Sequence, residues 1–171
     1  MDVHGRTDAA VLVPLYEDAA GELHAVFTRR RDDLRRHAGE ISFPGGRQDP
    51  GEDLMTTALR EAHEEIGLPP DTVQVAGALE PTATFVTGYA IYPYVGVISE
   101  PEAEWILSAT EVAEVLQLSL SALRAGEGER RLVRKGVPFR TPTFEVGPHL
   151  VWGATARILQ NLLRRTSRSG R

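Results

Sequence analysis

The stretch GRQDPGEDLMTTALREAHEEIGL, residues 46–68, carries the strongest helix pattern in the chain. Asp49 is placed to cap a helix and Pro50 suits its first turn. At 100° per residue the leucines, alanines, Met55 and isoleucine that follow fall on one side, which is expected to face a core. Gly67, just before two prolines, marks the end. The sequence therefore predicts an amphipathic helix over residues 52–66.

Three glutamates of this helix crowd one arc beside its apolar side. Glu61, Glu64 and Glu65 are spaced three and four residues apart, and each like-charged pair costs a few tenths of a kcal/mol, roughly. One interpretation is a solvated face, with Arg60 and Glu64 forming a surface salt bridge at i,i+4. The other is a site for Mg²⁺ or Mn²⁺, which prefer clustered hard oxygen ligands, to which the turn at Gly46 adds carbonyl groups.

Length and composition limit the remaining possibilities. The 171 residues suit one domain with a hydrophobic core, predicted over residues 1–165, and residues 166–171 are predicted to form a disordered basic tail. The chain has no cysteine, which excludes disulfides, thiolate metal sites and cysteine nucleophiles. A net charge of −5 disfavours a nucleic-acid partner. No apolar run suits a membrane span or a signal peptide, so a cytoplasmic protein is predicted.

The rest of the chain alternates between strand and helix patterns without a regular βαβ rhythm. This favours a mixed sheet with helices packed on it. The predicted elements are a hairpin of strands at residues 9–16 and 23–28, strands at 73–80 and 89–99, helical turns at 111–123, a basic hairpin at 130–140 and a closing amphipathic helix at 150–163.

The same stretch resembles the signature of the Nudix hydrolase family at every fixed polar and glycine position. Ala62 alone is smaller than the aliphatic residue usual at its place. The matching positions are Gly46, Glu52, Arg60, Glu61, Glu64, Glu65, Gly67 and Leu68. The resemblance implies an α/β fold (α+β), an α/β/α sandwich around a mixed sheet.

The resemblance also implies a site and a reaction. Glu61, Glu64 and Glu65 would bind Mg²⁺ or Mn²⁺, with the carbonyl of Gly46 as a further ligand. Arg60, together with Glu52, would hold the loop against the helix. The implied chemistry is hydrolysis of a nucleoside diphosphate linked to another group, in which the metal neutralises phosphate oxygens and activates water. Among the carboxylates we rank Glu64 ahead of Glu61 as the group that takes the proton.

The upstream segment VFTRRRDDLRRHAGEISFPGG, residues 26–46, resembles the motif of the coenzyme A pyrophosphatases within that family. Arg31 departs from it, since a small residue is usual there. The resemblance implies cleavage of coenzyme A or its thioesters into 3′,5′-ADP and 4′-phosphopantetheine or its acyl form. Guanidinium groups suit phosphate oxygens. The predicted substrate-binding residues are Arg30, Arg35, Gly39 and Phe43.

Several residues and functions compete with this interpretation. Arg29, Arg31 and Arg36 are expected to be merely exposed. For His37 and His63 a solvated or capping role is preferred over that of a base or ligand. By the family resemblance Glu111 and Glu114 could bring a further carboxylate to the site from a late loop, but a helix-surface role is preferred. Hydrolysis of another diphosphate such as ADP-ribose, or of a nucleoside triphosphate, remains open. So does a Nudix-like module that binds a nucleotide without turnover, although three intact glutamates argue against it. The oligomeric state is left open.

Overall fold

The computed structural model describes residues 6–34, 39–84, 87–101 and 105–168. Eleven strands and three helices make up the described part, with a 3₁₀ turn at Pro70–Thr72. The strands are β1 Thr7–Glu17, β2 Leu23–Arg30, β3 Ile41–Ser42, β4 Gly45–Arg47, β5 Gln74–Ala78, β6 Thr82–Ala83, β7 Tyr89–Val97, β8 Val112–Ser119, β9 Glu127–Arg134, β10 Val137–Val146 and β11 His149–Trp152. The helices are α1 Leu54–Ile66, α2 Leu120–Ala125 and α3 Gly153–Arg168.

A mixed sheet forms the centre of the fold. Its strands run in the order β3, β2, β1, β7, β5, and β4, β6 and β8 pair with β1, β7 and β2. The pair β1 and β7 is parallel, while the other pairs of this sheet are antiparallel. A second, antiparallel sheet has the order β11, β10, β9. The predicted mixed sheet is confirmed.

The two faces of the central sheet carry separate hydrophobic cores, because successive side chains of a strand point to opposite faces. On β2, Ala25 and Phe27 join the core beneath α3, whereas Val26 joins the core beneath α1. Both faces are therefore covered by a helix. This arrangement is the α/β/α sandwich that the sequence resemblance implies.

The boundaries of α1 correct the sequence prediction. The N-cap is Asp53, whose side chain accepts a hydrogen bond from Thr56 N–H at 2.8 Å, not Asp49. Glu52 precedes the helix and binds Arg60 instead. Met55, expected in the core, is 41% exposed.

Two later segments also differ from expectation. Residues 111–123, predicted as helical turns, form mainly β8, because the ladder with β2 satisfies their backbone. The closing helix begins only at Gly153, after β11, and it continues to Arg168. The predicted disordered tail is therefore helical at 166–168, where Thr166 and Ser167 donate hydrogen bonds to backbone carbonyls one turn back. Residues 169–171 lie outside the described residues.

The strands at 73–80 and 89–99 and the two hairpins are confirmed with small changes in their ends.

Within the described residues, no helix is long and apolar enough to cross a membrane.

Candidate active site

The helix α1 ends where a glycine is required. Gly67 adopts φ +73°, in the left-handed region that only glycine enters cheaply. Its N–H bonds to the carbonyl of His63 and stops the helix. This fixed end orients the last turn, which carries Glu64 and Glu65.

The short strand β4 lies directly against this helix. It pairs with β1, opposite Ala9 to Val11, and so brings Gly46 beside Glu61. A Cβ on Gly46 would lie 2.5 Å from the carboxyl carbon of Glu61 and 2.6 and 2.9 Å from its oxygens. Glycine is thus needed at position 46 because the carboxylate occupies the space of a side chain. Gly45 N–H also points to Glu65 Oε1 at 3.4 Å.

Arg60 links the loop to the acidic residues of the helix. Its guanidinium forms a two-point interaction with Glu52, with Nε to Oε2 at 2.8 Å and Nη2 to Oε1 at 3.0 Å. Nη1 donates to Glu61 Oε1 at 3.0 Å and lies 3.3 Å from both carboxylate oxygens of Glu64. Arg60, and Thr57 donating at 2.6 Å, lower the pKa of Glu52 to about 2. The predicted role of the pair Glu52 and Arg60 in holding the loop has this geometric support.

The three glutamates of the arc differ in environment. Burial raises the pKa of Glu65 to about 8, helped by the negative charge of Glu61 and opposed by the Gly45 N–H and by Arg30. Burial also raises the pKa of Glu61, against the effect of Arg60. The Glu64 side chain is 58% exposed. The expectation of a common arc therefore needs correction for Glu65, which is 8% exposed and lies in the core side of the helix.

A fourth carboxylate, Glu111, lies near the same cluster. Its charge contributes to the raised pKa of both Glu61 and Glu65. Glu111 stands in the turn before β8, where its carbonyl accepts from Arg31 N–H at 3.1 Å. The predicted helix-surface role of Glu111 is wrong, since no helix forms there. Glu114, on β8, forms an ion pair with Arg29 at 2.8 Å.

The donor set fits a hard divalent cation. Buried carboxylates with raised pKa values are stabilised when a nearby cation offsets their charge. Oxygen donors from Glu61, Glu64, Glu65 and the Gly46 carbonyl are the ligand type that Mg²⁺ and Mn²⁺ prefer. Among the described residues, no three acidic or histidine side chains already converge as an ion site, and Arg60 pairs with Glu61 and Glu64 instead.

The upstream segment reaches this site through Arg30, the last residue of β2. Its positive charge lowers the pKa of Glu65, so the guanidinium lies near the acidic cluster. Arg30 Nε is buried and has no hydrogen-bond partner among the described residues. A buried N–H without an acceptor lowers the stability of the fold unless a ligand accepts its hydrogen bond. Arg30 is thus the predicted substrate residue with the strongest structural support.

The other predicted substrate residues have different surroundings. Phe43 is 3% exposed and stacks on Phe27, with ring centroids 4.6 Å apart, so its predicted contact with substrate is corrected to a core role. Gly39 turns the chain at φ +68° and a Cβ there would lie 2.9 Å from Asp32 Oδ1, which indicates a role in the turn. Arg35, with Arg36 and His37, lies outside the described residues. Arg31 pairs with Asp33 at 2.6 Å.

Sequence reasoning missed the burial of Glu65, and for Glu111 it preferred a helix-surface role over the alternative of a further carboxylate at the site. Neither has a local signal, because both depend on how α1 and the turn before β8 pack on the sheet. Thr57 was also missed, although a threonine five residues after Glu52 is compatible with its hydrogen bond to that carboxylate.

The chain is similar to proteins that carry the NUDIX domain, whose family model matches residues 6–135. A relative described as an uncharacterized Nudix hydrolase NudL, from Enterobacter sp. (strain 638), is 38% identical over 164 residues, which cover 94% of this chain and 83% of the relative. The protein of the same description from Citrobacter koseri is 40% identical over 160 residues, 92% of this chain and 81% of the relative.

Solved structures share the fold. A C. elegans Ap4A hydrolase in a binary complex aligns with TM-score 0.66 and 17% identity, over 95% of this chain and 98% of that one. The NUDIX domain of Shewanella oneidensis NrtR, complexed with ADP ribose, aligns with TM-score 0.52 and 16% identity, over 71% of this chain and 77% of that one. At these identities the likeness concerns the fold.

Proposed function

The chain belongs to the Nudix hydrolase family, whose members hydrolyse pyrophosphate bonds of nucleoside diphosphate derivatives, and from this premise we propose that it cleaves coenzyme A or its thioesters. The products would be 3′,5′-ADP and 4′-phosphopantetheine or its acyl form. The observation that carries this proposal is Arg30, a residue of the segment that resembles the coenzyme A motif: its Nε is buried without a hydrogen-bond partner among the described residues, and its charge lowers the pKa of Glu65.

We assign the acidic cluster to metal binding. Glu61, Glu64 and Glu65, with the carbonyl of Gly46, would hold Mg²⁺ or Mn²⁺. When bound, such an ion neutralises diphosphate oxygens and lowers the pKa of a coordinated water. Arg60 keeps the loop and the helix together through its two bonds to Glu52.

The remaining steps fall to side chains of this chain. Arg30 donates to oxygens of the diphosphate and orients it, a task for which a planar guanidinium is suited. Glu64 accepts the proton of the attacking water, because its exposed carboxylate can reach solvent whereas Glu65 is buried. The water oxygen bonds to phosphorus while the bridging oxygen of the diphosphate leaves.

Product identification tests this proposal directly. The chain is incubated with coenzyme A and Mn²⁺ in ¹⁸O-labelled water and the products are analysed by mass spectrometry. We expect 3′,5′-ADP and 4′-phosphopantetheine, with one ¹⁸O in only one of them. A panel with ADP-ribose, diadenosine tetraphosphate and nucleoside triphosphates is measured in parallel, because an Ap4A hydrolase and a NUDIX domain complexed with ADP ribose share the fold. Faster turnover of another member than of coenzyme A would refute the substrate.

A matched pair of arginine variants tests the role of Arg30. Arg30→Ala is expected to lower kcat/KM by about 10- to 100-fold, since a hydrogen bond to a charged group is worth about 1.5–3 kcal/mol. Arg31→Ala is the control, because Arg31 is the next residue, is 41% exposed and pairs with Asp33. Equal activity of the two variants would remove the support that Arg30 gives to this function.

A nucleotide-binding module without turnover is the alternative from another class. It would bind members of the same panel in the presence of Mn²⁺ but release no product from any of them. Tight binding without product would favour that alternative.

A further inference from the structure

A cavity of about 180 Å³ opens between the β9–β10 hairpin and the start of α3. Nothing in the proposed chemistry of the acidic helix uses it. Its wall includes Glu40, Thr84, Thr87, Arg134, Phe139 and Trp152. The cavity therefore combines aromatic rings with polar and charged groups.

The aromatic part of the wall is a pair of rings from neighbouring strands. Phe139 and Trp152 have centroids 5.8 Å apart and are tilted by 46°. Val137, which also lines the cavity, is 62% exposed, so folding leaves apolar surface uncovered at this place. Such a surface offers stacking and apolar contact to a planar ligand.

The cationic part of the wall is Arg134. Its guanidinium carbon lies 5.4 Å from the centroid of Trp152, and Nη1 lies 3.9 Å from Glu40 Oε1. The second arginine of the wall, Arg157, is engaged in the fold, where Nε donates to Thr82 Oγ at 3.0 Å and Nη2 to the Ala83 carbonyl at 2.8 Å. Arg134 is the better candidate to meet an anion, because its side chain is 27% exposed and its guanidinium lies against the Trp152 ring of the wall.

Two series of contacts connect the cavity wall with residues near the acidic cluster. In the first, Arg30 N–H donates to the carbonyl of Glu40 at 3.0 Å, so the cavity wall begins next to Arg30. In the second, Thr84 Oγ accepts from Tyr89 N–H at 2.9 Å. The Arg47 guanidinium carbon lies 6.0 Å from the Tyr89 ring centroid, and Arg47 directly follows Gly46. Both series meet the same end of the central sheet, where Arg47 lies opposite Ala9 and Tyr89 opposite Thr7.

We propose that this cavity binds the nucleoside end of the substrate, with the base against Phe139 and Trp152 and a phosphate on the ribose 3′ position at Arg134. The inference rests on the proposed function, of which it names the specificity subsite. A base supplies donors and acceptors to Glu40 and to the threonines of the wall.

Arg30 and Arg134 are proposed to bind different phosphates of the substrate, because they lie at different places. Arg30, whose Nε is buried without a partner among the described residues, is proposed to contact the diphosphate, whereas Arg134 lies beside the Trp152 ring of the cavity. A substrate with a 3′-phosphate would gain a second charge-assisted contact, and one without it would not. Arg134 thus distinguishes coenzyme A from diphosphates of unmodified adenosine.

Fluorescence of Trp152 tests the base contact without turnover. The chain has two tryptophans, so Trp105→Phe leaves Trp152 as the reporter. We expect adenosine 3′,5′-bisphosphate and adenosine 5′-monophosphate to change its emission saturably, and 4′-phosphopantetheine not to. No response to either adenosine nucleotide, or an equal response to 4′-phosphopantetheine, would overturn the assignment.

Arg134→Gln, made in the same background, tests the phosphate contact. Its affinity for the 3′,5′-bisphosphate should fall about tenfold or more, as expected for a lost charge-assisted hydrogen bond, while that for the 5′-monophosphate stays within a factor of about 3. Arg140→Gln on the same hairpin is the control, because its side chain is 79% exposed and does not line the cavity. An equal loss for both nucleotides in Arg134→Gln would contradict a contact with the 3′-phosphate.

These measurements separate the cavity from the reaction. If coenzyme A is cleaved but Trp152 does not respond to the nucleotides, the proposed function stands and the cavity assignment falls. If coenzyme A is not cleaved and Trp152 still responds with a preference for the 3′-phosphate, the cavity assignment stands and the proposed reaction falls.

Discussion

Replacement of Glu65 by glutamine gives the sharpest prediction for the metal-free protein. The pKa of Glu65 in the folded chain is about 8, above its usual 4.5. The folded state therefore keeps a proton that the unfolded chain releases, and the associated stability is complete below pH 4.5 and is lost as the pH rises to 8. At about 1.4 kcal/mol per pH unit, the wild type should lose about 3 kcal/mol between pH 4.5 and pH 7 through this group.

Glutamine keeps the shape of Glu65 and an oxygen for the Gly45 N–H, but it cannot ionise. The assay is urea unfolding in EDTA at each pH from 5 to 9, with the free energy of unfolding of Glu65→Gln compared with that of the wild type. We expect the difference between the two proteins to grow in favour of the variant up to pH 8 and then to level off.

Two further measurements make the prediction strict. Glu64→Gln is the control, because that side chain is 58% exposed, and its curve should run parallel to that of the wild type. Mn²⁺ at pH 8 should raise the free energy of unfolding of the wild type more than that of Glu65→Gln, since the ion offsets a charge that the variant lacks. If the free energy of unfolding of Glu65→Gln and that of the wild type depended on pH in the same way, the raised pKa of Glu65 would be refuted.

Three shorter predictions concern activity and the fold. Glu64→Gln should lower kcat by at least about 100-fold, as expected for loss of a general base, with an unchanged circular dichroism spectrum; near-normal rates would refute the assignment. Gly46→Ala should lower kcat by about 100-fold because its methyl group displaces the carboxylate of Glu61, whereas Gly77→Ala, where a methyl group meets nothing within 4 Å, should not change it. Gly153 N–H, the first of α3, donates to Thr141 Oγ1 at 2.7 Å, and Thr141→Val removes this buried acceptor. The free energy of unfolding measured in urea should fall by about 1–3 kcal/mol. No loss would show that another group accepts this hydrogen bond.

The helix and its loop could be predicted because their signals are local and dense. A capping residue, an apolar stripe at helical spacing and a terminal glycine all lie within residues 46–68, and each acts on its own neighbours. The cap itself was misplaced by four residues, from Asp53 to Asp49, because both aspartates precede plausible first turns. Element ends are decided by single hydrogen bonds, which the sequence pattern does not resolve.

The strand β8 could not be predicted because its cause is distant in sequence. Residues 111–123 contain apolar residues at spacings that also suit helical turns. Pairing with β2, in which Leu116 lies opposite Phe27, decides between the two. The same long-range packing brings Glu111 to the acidic cluster, so the wrong prediction of a helix and the preference for a helix-surface role of Glu111 have one origin.

In the candidate site, too, local features could be predicted and features that depend on distant packing could not. The residue types and spacing of Glu61, Glu64 and Glu65 are visible in the sequence, but their exposure is not. Whether a helical glutamate faces water or the core depends on where the helix rests on the sheet, and Glu65 rests against β4. The substrate contact predicted for Phe43 needed correction for the same reason, because its ring stacks on Phe27 of β2 in the core.

The parallel pairing of β1 with β7 has a consequence for the order of folding. Thr7 lies opposite Tyr89, and α1 with its glutamates lies between these strands in the chain. Contacts of such large sequence separation form slowly, because a long loop must close first. On the ribosome, α1 therefore emerges before β7, the parallel partner of β1, and before β8, the last strand of this sheet, so the acidic cluster gains its native burial only after Ser119 has left the exit tunnel.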